Sequence, residues 1–448
     1  MPVDATPSHR PASSRFRWVI CALLFWVTTA NYIDRSVFSN LAPDLEKVIP
    51  GWTQERYYDM TVAFTAAYAV SQMLAGRLMD VIGLRWGFAL ACGFWGLAAM
   101  SHSLVNTVTG FFVVRILLAL GEGGNFPAAI KTTAEWFPKR ERALATGLFN
   151  SGSNVGGILV PFGLPSVVAL CGTFYVGGHV LGWRGAFLIT GIFDITWIVA
   201  WLLIYKKPQD HARVSEAELA RINSDPAEAG VKIPWRRLFP HRQAWAIAGA
   251  RFMSDGFWWF YLFGTPYFFS DRFGLGLKAR SAPVAVIYVL ASFGSIGGGW
   301  LSGWLMKIGW SVNRARKTTL FICAVCVLPV FFAAITNSYW LAVALIAIAA
   351  SAHQAWSANV YSLAGDMFPR RIVGSVTGLA GLAGSVGGLI LFTLIAHVRK
   401  LAEASHDLGN YRLIFLAASL AYLTGATIVH LLAPKLEPVD FEQSTKTL

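Results

Sequence analysis

The sequence predicts an all-α polytopic membrane protein, with twelve transmembrane helices in two six-helix halves. Composition is the first ground. Hydrophobic residues make up 55% of the 448-residue chain and charged residues only 14%, against about 25% charged in soluble proteins. The second is a series of apolar runs of about 20 residues, each long enough to cross a bilayer. The third is a stretch of sequence that recurs at a fixed offset. Forty-two glycines in so apolar a chain suit helices packed closely in lipid. A disordered chain is excluded, and a soluble enzyme is disfavoured.

The runs fall at 18–42, 57–79, 86–105, 108–130, 143–168, 183–205, 243–270, 282–306, 318–336, 339–365, 373–397 and 411–433. A polar tail, 1–17, precedes the first, so that run is not read as a cleaved signal. The first half is expected over 18–205 and the second over 243–433. Between them lies a polar central loop, 206–242, expected to carry a short surface helix in VSEAELARINSD. A tail, 434–448, follows.

Lysines and arginines set the orientation. With both termini and the central loop on one side, that side holds 25 of them and the other holds 9. Arg35, Arg115 and Arg251 remain within spans. Basic residues crowd cytoplasmic loops, so both termini are expected in the cytoplasm and the protein in the bacterial inner membrane. The same distribution accounts for the net charge of +13 without nucleic acid. The five cysteines make no convincing metal cluster, and Cys323 and Cys326 sit among aliphatic residues. No cofactor or metal is expected, and no enzyme motif appears.

Residues 135–157, EWFPKRERALATGLFNSGSNVGG, match 366–388, DMFPRRIVGSVTGLAGLAGSVGG, at an offset of 231. Two six-helix halves in parallel repeat are a transporter architecture, with the site at mid-membrane between them. A loop after the second span, GRLMDVIGLRW, carries Gly76, Asp80, Gly83 and Arg85. The glycines permit close approach and a turn, and Asp80 can latch one conformation by pairing with a base or a helix N-terminus. At the corresponding place in the second half Gly303 stands where the acid would be. A second latch there is expected to be weaker or to run through Arg314, Arg316 and Lys317.

Intramembrane charges are costly and therefore candidates for function. Asp34 and Arg35 lie in NYIDRSVFSN, with Tyr32 three residues before Arg35 on one face. Arg115 and Glu122 lie in RILLALGEGGNFPAA, roughly 10.5 Å apart along one helix. An arginine fork suits an anion, and a carboxyl among glycines suits a proton carrier. Asp194 and Arg251 read as structural. Adding 231 to Glu122 reaches His353, in SAHQAWSANVYSLAGD, where His353, Gln354, Trp356, Ser357 and Asn359 are expected to face a cavity. Tyr68, Gln72 and Asn154 add polar groups suited to a polyol.

These motifs, with SDGFWWFYLF at 254–263, resemble the anion:cation symporter branch of the major facilitator superfamily, and within it most of all the hexuronate transporters. The resemblance implies proton-coupled symport of a sugar-acid anion such as glucuronate or galacturonate. It carries proton coupling onto Asp34 and Glu122, and anion binding onto Arg35 and Arg115 with Tyr32 and Tyr68 nearby. It implies a lipid-embedded carrier that works as a monomer on a small organic anion and protons. The stretch 161–182 departs from the pattern by its length. A carrier of the same fold for an aldonate, aldarate, dicarboxylate or aromatic acid, or an anion exchanger, is the alternative. A membrane sensor is more remote, because the central loop is too short for an output domain.

Overall fold

The computed structural model describes residues 14–176, 179–225, 234–261, 265–274, 277–405 and 410–439. The ends of both tails and residues 226–233 of the central loop lie outside the described residues. So do 177–178, within the long stretch at 161–182.

Every expected span falls on a helix or on two successive helices. The first half contains α1 (Arg17–Val48), α2 (Gln54–Ile82), α3 (Leu84–Ser101), α4 (Val108–Glu122), α5 (Asn125–Trp136), α6 (Lys139–Cys171) and α7 (Gly182–Ile204). The central segment forms α8 (Glu216–Ile222). The second half contains α9 (Arg242–Trp259), α10 (Thr265–Phe273), α11 (Leu277–Lys307), α12 (Val312–Val327), α13 (Tyr339–Met367), α14 (Val373–Ser405) and α15 (Asn410–Leu432). A hairpin of two-residue strands, Tyr175–Val176 with His179–Val180, is the β-structure among the described residues.

Nine stretches of the described residues are long and apolar enough to cross a membrane by composition alone. The expected spans outside that set are on α1, on α2 and on α9 with α10. These carry Asp34 and Arg35, Tyr68 and Gln72, and Arg251 and Asp255. Their low hydropathy therefore coincides with the polar residues described below.

The repeated glycines do matching work in the two halves. A Cβ on Gly156 would collide with the Thr29 carbonyl on α1, and one on Gly387 with the Phe252 carbonyl on α9. Across the halves, a Cβ on Gly147 would strike the Ser295 carbonyl on α11, and one on Gly378 the Gln72 carbonyl on α2. Each repeat thus packs one helix against its own half and against the other half, backbone to backbone, as small residues allow in lipid.

The face bearing both termini is tied together by buried polar contacts. Asp80 accepts from Lys131 at 2.7 Å and, across the halves, from the Ser375 backbone N–H at 2.7 Å near the start of α14. Gly76 packs on the Gly374 carbonyl. Gly83 turns the chain between α2 and α3 with φ +82°, a conformation that favours glycine. Arg316 donates to Asp366 at 2.8 Å and, across the halves, to the Lys139 carbonyl at 2.8 Å. Arg142 donates to the Gly365 carbonyl. Arg314 instead stacks on Trp310, and Lys317 donates to the Pro434 carbonyl. Arg85 donates to the Leu202 carbonyl at 2.9 Å, within the first half. Gly303 has a different role from an acid: a Cβ there would meet the Arg140 carbonyl.

The acidic segment of the central loop forms α8, but it does not float on the surface. Glu218 is buried and accepts from the Phe16 backbone N–H at 2.9 Å, the Arg17 backbone N–H at 3.1 Å and the Arg17 guanidinium at 2.9 Å. It thereby satisfies donors at the start of α1. Arg17 and Arg221 both reach Glu141 on α6. Burial pushes the Glu218 carboxyl up. Hydrogen bonds from Ser14, from the two backbone groups and from Arg17 outweigh it and hold the group below the usual carboxylate range.

Candidate substrate and proton site

The expected fourth span is two helices. It breaks after Glu122, at Gly123 and Gly124. The glycines are needed because α4 lies against α2 and α3: Cβ atoms on Gly121 and Gly123 would overlap Trp95 and Ser71. Close packing puts Glu122 at the end of α4 with its carboxyl fully buried, facing α1.

Arg35 meets it there. The Arg35 Nε donates to Glu122 Oε2 at 2.5 Å, with the two side chains 11% and 0% exposed. The guanidinium carbon lies 5.2 Å from the Tyr32 ring centre, 5.4 Å from Phe64 and 4.3 Å from Tyr68. Three rings hold the cation by their faces, and its Nη2 has no acceptor among the described residues. The partner of Glu122 is therefore an arginine on another helix, not Arg115 on its own.

Arg115 is sandwiched 4.2 Å from both Phe38 and Phe64. Its Nε and Nη1 have no acceptor among the described residues. Asp34 faces the other way from Arg35, as adjacent helical residues must. It is 3% exposed and lies against Asp194 of α7.

A cavity with about 460 Å³ of unfilled space, open solvent at its mouth included, lies between the halves beside this pair. From the first half Tyr32, Tyr68, Gln72 and Asn150 line it. From the second come Arg251, Asp255, Trp258, His353, Gln354 and Ser357. Arg35 sits directly behind Tyr32 and Tyr68, so the tyrosines form the wall between cation and cavity.

The polar lining is organised by α13. His353 hydrogen-bonds the Tyr422 hydroxyl at 2.7 Å and stacks on Trp258, with centroids 4.9 Å apart. Gln354 accepts from Asn150 at 2.5 Å and donates to Asn154 at 3.4 Å, joining the two halves across the cavity floor. Asn154 is a partner of the lining, not part of it.

Two expected cavity residues point elsewhere. Trp356 is fully buried against Tyr422 and Gly425. Asn359 donates to the Gly298 carbonyl at 3.0 Å and accepts from Arg316. The cause is helical drift. Steps of three residues rotate by about 60° each, so 353, 356 and 359 do not share a face. Steps of four hold the face better, and His353, Ser357 and Tyr361 all line the cavity.

Arg251 corrects another expectation. It lines the cavity instead of serving only the packing, paired with Asp255 at 2.6 Å and bonded to Ser357 at 3.0 Å and Tyr361 at 2.6 Å. Their spacing, four apart on α9, was visible in SDGFWWFYLF and the residues before it, but their position near a span edge hid their exposure to the cavity. Asn150 was also missed.

Comparison with known proteins settles the lineage. A family model described as the Major Facilitator Superfamily matches residues 24–392. The chain belongs to the major facilitator superfamily. It is 30% identical over 436 residues to the hexuronate transporter of Escherichia coli K12, covering 96% of each chain. It is 31% identical over 313 residues to the galacturonate transporter of Dickeya chrysanthemi, covering 68% of this chain and 87% of that one. The proton:xylose symporter XylE superposes with a TM-score of 0.73 at 14% identity, over 96% of this chain and 99% of that one, which shows the shared fold. As a major facilitator protein, the chain is a multi-pass membrane transporter and not an enzyme.

Proposed function

We propose that this transporter imports a hexuronate such as glucuronate or galacturonate by proton symport across the bacterial inner membrane, as a monomer with both termini in the cytoplasm. The observation that carries the reading is the Arg35–Glu122 pair behind the tyrosine wall of a polar cavity. A guanidinium whose charge is already neutralised by a carboxylate attracts a second carboxylate less strongly. Protonating Glu122 frees the fork for the substrate anion, which it can grip bidentately. Losing that proton restores the internal pair and ejects the anion. Proton and substrate thus act on one guanidinium.

The rest of the site suits the other end of a sugar acid. Asn150, Gln354, His353 and Ser357 offer amide, imidazole and hydroxyl partners, and Trp258 offers a flat apolar face. Arg115 adds positive charge behind Phe64. Asp80, with Gly76 and Gly83, latches the face bearing the termini, while Arg85 braces α7. The names of the hexuronate and galacturonate relatives support the substrate class. One monovalent anion entering against 100 mV works against about 2.3 kcal/mol, which one accompanying proton cancels.

A second reading follows from Arg251. A second cation inside the cavity fits an aldarate, whose two ends are both carboxylates. Competition uptake in membrane vesicles separates them. Labelled glucuronate should be displaced by uronates and not by neutral galactose. Stronger displacement by aldarates would favour the diacid, and equal displacement by galactose would remove the anion site altogether.

A further inference from the structure

Asp34 and Asp194 are the buried acids that the coupling scheme above leaves without a task. They are 3% and 0% exposed, on α1 and α7. Their carboxyl groups neighbour each other where α1 packs on α7. Among the described residues none of their four oxygens receives a protein donor in good geometry. The Thr190 hydroxyl beside them donates to the Phe187 carbonyl instead. Facing Asp194 is the indole of Trp95, fully buried, with its Nε1 otherwise unpartnered among the described residues.

The charged and titratable groups around the pair do not neutralise it. On α1, Arg35 is committed to Glu122. On α4, Glu122 adds like charge, and Arg115 is held on its two phenylalanines. On α3, the Cys92 thiol, an uncharged neighbour of both acids, donates to the Asp194 backbone carbonyl at 3.9 Å. On α7, Thr190 is uncharged. Two ionised carboxylates in contact inside a helix bundle repel in a medium that screens poorly. The contact is favourable only when one oxygen carries a proton and donates it to the other.

We propose that Asp34 and Asp194 form a single proton site that keeps one proton shared between them and exchanges a second during transport. The doubly protonated pair is neutral. Release of one proton, to water in the cavity path, leaves a carboxylate accepting an O–H from its neighbour and, at Asp194, an N–H from Trp95. The pair then titrates as a unit, and neither residue alone is the carrier. Asp194 touches no substrate and holds the proton jointly with Asp34. Its part in coupling rests on the symport reading; the shared proton does not.

Infrared spectroscopy on the purified protein tests the shared proton without any substrate. A protonated-carboxyl C=O band should persist well above neutral pH. It should disappear in Asp34→Asn and in Asp194→Asn, where the remaining acid can ionise beside an amide donor. It should survive in Glu122→Gln and Asp194→Glu. No such band in the parent, or a band unaltered by Asp194→Asn, overturns the proposal. Transport tests the exchange. Asp194→Leu, which offers no donor, should lose about tenfold or more of pH-driven uptake while counterflow of labelled substrate persists. Asp194→Asn should keep more of that uptake than Asp194→Leu. Parent-like accumulation by Asp194→Leu would make Asp194 a spectator, even with the symport reading intact.

Discussion

Replacing Glu122 by glutamine isolates the competition for Arg35. In the parent, substrate must take the guanidinium from a carboxylate 2.5 Å away, whose side chain is 0% exposed. Close, desolvated charge pairs show couplings of about 1.5–7 kcal/mol. The Glu122→Gln change keeps the shape and removes the charge, so the substrate no longer has that attraction to overcome. The low end of the range already gives about a tenfold gain in affinity, and about 3 kcal/mol gives over a hundredfold. The gain should be clearest at alkaline pH, where the parent carboxyl is ionised. The unliganded variant should also melt earlier, because breaking a buried pair costs about 3–5 kcal/mol. Substrate should then raise its melting temperature more than it raises the parent's. Exchange of labelled for unlabelled glucuronate across vesicles should continue, since it needs no net proton movement. Accumulation driven by a pH gradient should vanish. The assay is counterflow beside gradient-driven uptake on the same reconstituted protein. If the variant concentrates substrate as the parent does, Glu122 is a structural anchor for Arg35 and the competition scheme fails.

Arg35→Lys should weaken substrate binding about tenfold to a hundredfold in thermal-shift titrations, because a point charge cannot reproduce a planar fork packed among three rings; parent-like affinity would remove Arg35 from the site. Asp80→Asn should loosen the face bearing the termini. Hydrogen bonds to a charged group are worth about 1.5–3 kcal/mol, so the conformational equilibrium should move roughly tenfold or more towards that face opening, read as faster labelling of a cysteine placed between α2 and α14. Glu218→Gln should lower the melting temperature at neutral pH, with a loss of about 1–3 kcal/mol for a carboxylate that caps α1. The parent's own dependence has a defined sign. The carboxyl is held low in the folded protein, so its contribution is present above its ordinary pKa and fades as the pH falls through the lowered value.

Hydropathy and the repeat made the helical architecture legible, because both report on segments that each face lipid and pack on a duplicate. The site was less legible. That Arg35 and Glu122 matter followed from the cost of burying them, but not that they meet, since no periodicity links residues 87 positions apart on different helices. The break after Glu122 was disguised by an apolar run that continues through Gly123 and Gly124. The row His353, Trp356 and Asn359 failed for a geometric reason: three-residue steps carry Asn359 round to Gly298 and Arg316. Arg251 and Asp194 were each read one helix at a time, and each owes its environment to helices distant in the chain.

The low hydropathy of α1 bears on how the chain is made. α1 leaves the ribosome before α4 and α7, carrying Asp34 and Arg35, and insertion scales put the cost of such residues at a helix centre at about 2.5–3.5 kcal/mol. Their partners do not yet exist: Glu122 is 87 residues away, and Asp194 lies on α7. A helix so burdened has reason to wait at the insertion machinery, or to enter the lipid only alongside α4. Biogenesis of the first half is then a cooperative event spanning most of its synthesis. The residues that slow it are the ones the carrier cannot exchange for leucine, so a variant that inserts faster and transports nothing is the expected result of smoothing α1.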